Sequence, residues 1–152
     1  METPIDPTRL IVDSLPGIVR AMTAEVRRVG SRHQLTMPQY VVLRLLMDRD
    51  YLVGELAREL RVSMPTITQR SDGLIAKGLA ERYSEGRDRR QVWLSATVEG
   101  RVVLTECRDA LEVLFSRIVG EWNEERRDLV AEALADLLEL LVRSDPKNRG
   151  TG

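Results

Sequence analysis

A chain of 152 residues with 43% hydrophobic residues is long enough for one packed domain with appended helices. Only 4% is aromatic, with a single Phe, so the core must be mostly Leu, Val, Ile and Ala, which favours helix packing over a β-sandwich. The net charge of −1, from 23 basic and 24 acidic residues, excludes a uniformly basic polyanion binder, and the single cysteine excludes an intrachain disulfide framework.

Residues 1–7 read as a flexible arm without the basic-then-apolar pattern of a secretory leader. No apolar run approaches the roughly 18 residues that span a bilayer, so the expected setting is the cytoplasm with no membrane partner. From residue 8 to about 32, Leu10, Ile11, Leu15, Ile18, Val19, Met22, Val26 and Val29 recur at helical spacing. Pro16 interrupts this run. Either Ser14 caps a helix restarting with Pro16 in its first turn, or the helix kinks there. Thr36 is a candidate N-cap for a second helix, with Pro38 in its first turn and Tyr40, Leu43, Leu46 and Met47 as its apolar face. Residues 48–50 end it, and 51–53 suit a very short strand.

Residues 55–60 predict a short helix with Leu56, Ala57 and Leu60 inward. Arg61 and Val62 form a turn. Ser63 then caps a helix with Pro65 in its first turn, running to about Lys77, where Gly78 supplies a left-handed residue. Its inward face is Ile67, then Gly73 or Leu74, and Leu74 to Ile75; its outward face is Thr66, Thr68, Gln69, Arg70 and Asp72. Two β-type runs, 79–83 and 91–95, flank a turn holding Gly86, Arg87, Asp88, Arg89 and Arg90. Thr97 caps a long helix over 98–119, which Gly120 breaks. A final helix runs from 123 or 124 to 142, with Leu129, Val130, Ala133, Leu134, Leu137, Leu138 and Leu141 as a wide apolar stripe. Residues 144–152 form a polar tail expected to be disordered.

Charge is unevenly spread. Residues 61–90 carry a net +3, and residues 121–142 a net −5, so a basic middle faces phosphates best and an acidic C-terminal helix faces away. A polar-fronted helix followed by an arginine-tipped hairpin predicts a mainly α fold with a small β-hairpin wing: a winged helix-turn-helix. The DNA-binding module spans about 36–97. The helices at about 8–32, 98–119 and 123–142 are too apolar for that module to cover, which predicts a homodimer built on them.

The stretch Asp88-Arg89-Arg90-Gln91-Val92-Trp93-Leu94-Ser95-Ala96-Thr97-Val98-Glu99-Gly100 resembles the MarR family of winged-helix regulators, whose wing carries Asp-x-Arg and whose next helix opens with Leu-Thr-x-x-Gly. Asp88, Arg90, Val92, Leu94, Thr97 and Gly100 fit; Ala96 replaces the usual Leu. Glu55-Leu56-Ala57 through Ser63, and Gly73 through Leu79 with Arg82, match as well, while Val53 stands near where a small capping hydroxyl is usual. The order of elements covers residues 8–143. The resemblance implies a sequence-specific double-stranded DNA-binding transcriptional regulator, a homodimeric repressor on a pseudo-palindromic operator, released by a small aromatic or phenolic effector. Arg20, His33 and Tyr40 are candidates to line the effector cleft, with no residue assigned to it.

Direct readout needs side chains at the N-terminal end of a helix in the major groove. Ser63, Pro65, Thr66, Thr68, Gln69 and Arg70 are the candidates: Gln69 suits adenine, Arg70 guanine or phosphate, and the threonines a thymine methyl or a phosphate. In the wing, Arg90 suits a narrow minor groove with Asp88 orienting its guanidinium, while Arg87 and Arg89 suit phosphates. Small polar residues at a helix start also serve as plain caps, and Asp88–Arg90 also reads as a turn ion pair. With one His and one Cys, no catalytic constellation, metal set or cofactor is expected. Two alternatives remain: a redox-responsive regulator sensing through Cys107, and a winged-helix module that binds protein rather than DNA.

Overall fold

The structure is a computed structural model that describes residues 6–84 and 91–143. The expected arm falls mostly outside these residues, and the expected disordered tail wholly outside. Helices α1 (Pro7–Val29), α2 (Met37–Asp48), α3 (Val53–Glu59), α4 (Met64–Ala76), α5 (Val98–Val119) and α6 (Glu124–Arg143) are joined by strands β1 (Tyr51–Leu52), β2 (Ala80–Ser84) and β3 (Val92–Ala96). The chain divides into two compact units, with the boundary between Glu112 and Val113, inside α5.

α1 is one continuous helix. Asp6 caps it, not Ser14, and Pro16 lies within it. Of its apolar residues only Val26 is buried, while Leu10, Ile11, Val12, Leu15, Ile18 and Val19 stand exposed. A 3-10 turn (Gly30–His33) and the left-handed Gln34 (φ 48°) then redirect the chain into α2. Thr36 makes the expected cap and closes a capping box with Gln39, with Pro38 in the first turn.

The core of the first unit is aliphatic. Val26, Leu35, Val42, Leu43, Leu46, Leu56, Ile67, Leu74, Leu79, Leu94, Leu104 and Cys107 are fully buried. Each large aliphatic side chain among them contributes about 1.5–3 kcal/mol by leaving water. α4 packs on both α2 and α3, so burial of Ile67 and Leu74 fixes which of its faces points outward. Ser71, not Gly73 or Ile75, is the third fully inward position of α4. Its hydroxyl has no hydrogen-bond partner among the described residues.

The hairpin expected from the sequence is part of a three-stranded antiparallel sheet ordered β1-β3-β2. β1 is two residues long, because Val53 already opens α3. Leu52, Trp93 and Tyr83 align across the strands; Tyr83 and Trp93 stack at 6.4 Å, and the Tyr83 hydroxyl donates to Asp50 Oδ2 at 2.7 Å. These contacts brace the base of the wing.

The motif at residues 97–100 has a clear structural role. α4 ends in a Schellman arrangement: Gly78 at φ 69° lets its N–H reach Ile75 O (2.9 Å) and the Leu79 N–H reach Leu74 O (2.9 Å). Thr97 then ties the start of α5 to that ending. Its Oγ1 donates to Gly78 O at 2.6 Å and accepts from Gly100 N–H at 3.0 Å, and its N–H donates to Leu79 O at 3.2 Å. A Cβ on Gly100 would lie 2.0 Å from Leu79 O, so only glycine admits this approach.

In the second unit α6 starts behind Asn123, whose Oδ1 accepts from Arg126 N–H. Leu129, Leu134, Leu138, Leu140 and Leu141 of α6 are exposed. Each unit thus carries a helix with an uncovered apolar face.

Gly100→Ala is expected to destabilise the chain by about 2 kcal/mol, since the clash is with backbone rather than a yielding side chain. A urea unfolding curve measures this, and a midpoint equal to that of the unaltered chain would contradict the close approach.

Candidate nucleic-acid interface

α3, the turn at residues 60–62 and α4 form the two-helix unit. The turn works because Arg61 takes φ 52°, and Val62 N–H bonds back to Ala57 O at 3.0 Å. A non-glycine residue in that region is uncommon and costs backbone energy. Ser63 caps α4: its Oγ accepts from Thr66 N–H at 3.3 Å and lies 2.8 Å from Thr66 Oγ1. The capping function of Ser63 is therefore real, and the Thr66 hydroxyl is drawn into it.

No acidic residue sits in the first turn of α4, so the positive end of the helix dipole is not neutralised by its own side chains. That end suits phosphate or an electronegative groove. Ser63, Pro65 and Gln69 are exposed, and Thr66, Thr68 and Arg70 are half-buried; together they lie along the N-terminal two turns of α4. Met64 joins them at 50% exposure. Met64 was not among the candidates expected from the sequence. Its apolar tip is suited to a thymine methyl. Arg87, Asp88, Arg89 and Arg90 lie outside the described residues.

Behind this face, Arg82 of β2 donates to Asp72 Oδ1 at 2.9 Å and links the wing to α4. Leu52, Val53, Arg58, Met64, Thr68, Arg82 and Val92 are among the residues that line a cleft of about 480 Å³. A second cleft of about 380 Å³ lies between α2 and α5 and is edged by Arg44, Met47, Asp48, Leu104, Arg108 and Glu112. Arg44 is held there by Asp48 at 3.0 Å. His33 Nε2 sits 3.2 Å from Glu99 Oε1, Tyr40 is buried, and Arg20 is exposed. Burial is the main cause raising the Tyr40 phenol above its ordinary pKa.

Cys107 is fully buried. Burial, then the charges of Glu106 and Glu25, push its thiol above the ordinary range. A reactive cysteine needs the opposite environment, one that favours thiolate and admits oxidant. Among the described residues no group of three or more His, Cys, Asp or Glu is placed to hold a metal ion, and no helix is long and apolar enough to cross a membrane.

A short helix, a tight turn and a polar-nosed second helix backed by a small antiparallel sheet define a winged helix-turn-helix, a DNA-binding class. The MarR family model matches residues 33–91. The chain is 28% identical over 131 residues to the HTH-type transcriptional repressor YetL of Bacillus subtilis, covering 84% of this chain and 78% of that one. It is 27% identical over 142 residues to the HTH-type transcriptional repressor MdtR of the same organism, covering 91% and 92%. The transcriptional regulator BldR from Sulfolobus solfataricus superposes with a TM-score of 0.70 at 27% identity, over 93% of this chain and 99% of that one. Over this span the chain is similar to MarR-family regulators, and it is a DNA-binding transcriptional regulator.

The environment of Cys107 predicts slow alkylation. In the folded protein, iodoacetamide is expected to modify it at least about tenfold more slowly than in urea, where the thiol is exposed. Equal rates in the two conditions would show an accessible thiol and revive the redox alternative.

Proposed function

We propose that this chain is a homodimeric repressor that grips a pseudo-palindromic operator with two α4 helices and two wings. The observation that carries this is the outward, uncapped-by-acid N-terminal half of α4, whose other face is locked into the core. Gln69 and Arg70 read base edges in the major groove, with Thr66, Thr68 and Met64 against thymine methyls or phosphates. Ser63 and Pro65 shape the helix end that meets the backbone. Arg90, oriented by Asp88, enters the minor groove, and Arg87 and Arg89 pair with phosphates. The exposed aliphatic rows of α1 and α6 support the dimer: a second copy is the simplest cover for both. A winged-helix module that binds only protein leaves a basic 61–90 segment, net +3, without a matching purpose.

Release by an effector fits the cleft beside Thr68. Leu52, Val53, Met64 and Val92 give it apolar walls, Arg58 and Arg82 give it cations, and the Glu55 carboxylate on the same wall is taken up by Arg49 at 3.1 Å, a combination that suits an aromatic carboxylate or phenolate. An anion there would compete for Arg82 with Asp72, shifting α4 against the wing.

Gel shifts on the duplex upstream of the chain's own coding sequence, across a salt series, test the DNA reading. Affinity should fall steeply with salt, and Arg90→Ala should cost about 1–3 kcal/mol of specific binding. An affinity indifferent to salt would remove phosphate neutralisation as the driving force, and unchanged binding by Arg90→Ala would remove the minor-groove contact. Titrating benzoate and 4-hydroxybenzoate into the complex tests the effector cleft. Release is expected with the unaltered chain and weaker release with Arg58→Ala; identical behaviour of the two chains would exclude the cleft.

A further inference from the structure

The chain uses arginine almost exclusively as its cation: of 23 basic residues only Lys77 and Lys147 are lysines. Lys77 follows the last residue of α4, and its surroundings need an ammonium. Its Nζ donates to the backbone carbonyl of Gln34 at 2.7 Å and to Gln39 Oε1 at 2.6 Å. Both partners are carbonyl oxygens, with no carboxylate among the described residues bonded to the amine, and burial lowers the amine's pKa. A compact ammonium with rotatable donors fits between two carbonyls from different elements, where a planar guanidinium one atom longer does not.

The acceptors are themselves fixed. Gln34 is the left-handed residue of the joint between α1 and α2, with its N–H bonded to Ser31 O at 3.1 Å. The next residue, Leu35, is buried and anchors that joint. Gln39 is nearly buried, and its Oε1 also accepts from Thr36 N–H at 3.3 Å, so the capping box of α2 orients it. Its amide reaches this position only because α4 has no side chain at Gly73, where a Cβ would lie 2.3 Å from Gln39 Nε2. Gly73 costs α4 helix propensity, and its place against Gln39 gives that cost a reason.

We propose that Lys77 is a positioning residue for DNA recognition: with Gln39 seated on Gly73 it clamps the C-terminal end of α4 to the α1–α2 joint, setting the angle at which the recognition helix is presented. This rests on the DNA-binding reading above. Base-edge contacts demand that angle within narrow limits, whereas phosphate contacts from long side chains tolerate small rotations. The clamp therefore governs sequence discrimination more than general DNA affinity. It also joins α1, half of the proposed dimer base, to the helix that reads DNA.

The test compares two duplexes: one enriched from a randomised library by the unaltered chain, and a scrambled duplex of the same composition. Lys77→Arg and Gly73→Ala both keep the net charge, and Gly73→Ala raises helix propensity. Each is expected to weaken binding to the enriched duplex by about tenfold, a change of about 1.4 kcal/mol, while scrambled-duplex binding stays within about twofold. The melting temperature of Gly73→Ala should stay close to that of the unaltered chain, because the gain in helix propensity offsets the hydrogen bonds that the displaced Gln39 amide gives up. The double variant should be no worse than either single variant, as for two parts of one device. Binding of the enriched duplex by Lys77→Arg within about twofold of the unaltered chain would overturn the proposal. So would a parallel loss on both duplexes that tracks a fall in melting temperature. If the unaltered chain enriches no duplex at all, the DNA-binding reading fails first and the clamp's role in recognition falls with it.

Discussion

The hydrogen bond from the Thr97 hydroxyl to the Gly78 carbonyl joins the end of α4 to the start of α5. A helix C-terminus presents carbonyls that need donors. Here the Schellman bonds of Gly78 and Leu79 satisfy two of them, and Thr97 binds the chain just beyond. The same hydroxyl accepts from Gly100, so one side chain serves both ends. Gly100 has no side chain because Leu79 O occupies the space. With its C-terminus held this way and Ile67 and Leu74 sunk in the core, α4 leaves its N-terminal outer face open to solvent.

That asymmetry suits groove binding. Readout requires a helix end that is rigid behind and polar in front, with nothing of its own neutralising the dipole. α4 meets these conditions through Ser63, the absence of acid in its first turn, and the Asp72–Arg82 link to the sheet. The Tyr83–Trp93 stack and the Tyr83–Asp50 hydrogen bond give the strands β2 and β3 a braced base. Ser71 is the exception within α4. A buried hydroxyl without a partner among the described residues costs about 1–3 kcal/mol, and nothing in the structure explains its presence.

Much of this was legible in the sequence because the signals are local. Ser63, Thr36, Thr97 and Gly78 are punctuation that acts within a few residues of itself, and each does so as expected. The strands flanking the wing followed from alternation and turn residues, although both begin one residue later than the pattern suggests. What the sequence hid depends on contacts between distant segments. The short strand at 51–53 was legible, but its pairing with β3, which turns the hairpin into a three-stranded sheet, was not. Pro16 reads as an interruption, yet a helix continues through it. Gln39 and Lys77 lie 38 residues apart, and neither announces the other. Gly73 reads as part of an apolar face, when its function is to be empty. The wing residues Arg87, Asp88, Arg89 and Arg90 remain a sequence-based assignment.

The central claim is that the N-terminal outer face of α4 meets the DNA. Photo-crosslinking from a benzophenone amino acid tests it most directly, placed at Gln69 in one sample and at Asp109, on the exposed side of α5, in another. With a duplex enriched by the unaltered chain, covalent protein–DNA product should form from position 69 and not from position 109. Product from position 109 with none from position 69 would contradict the account.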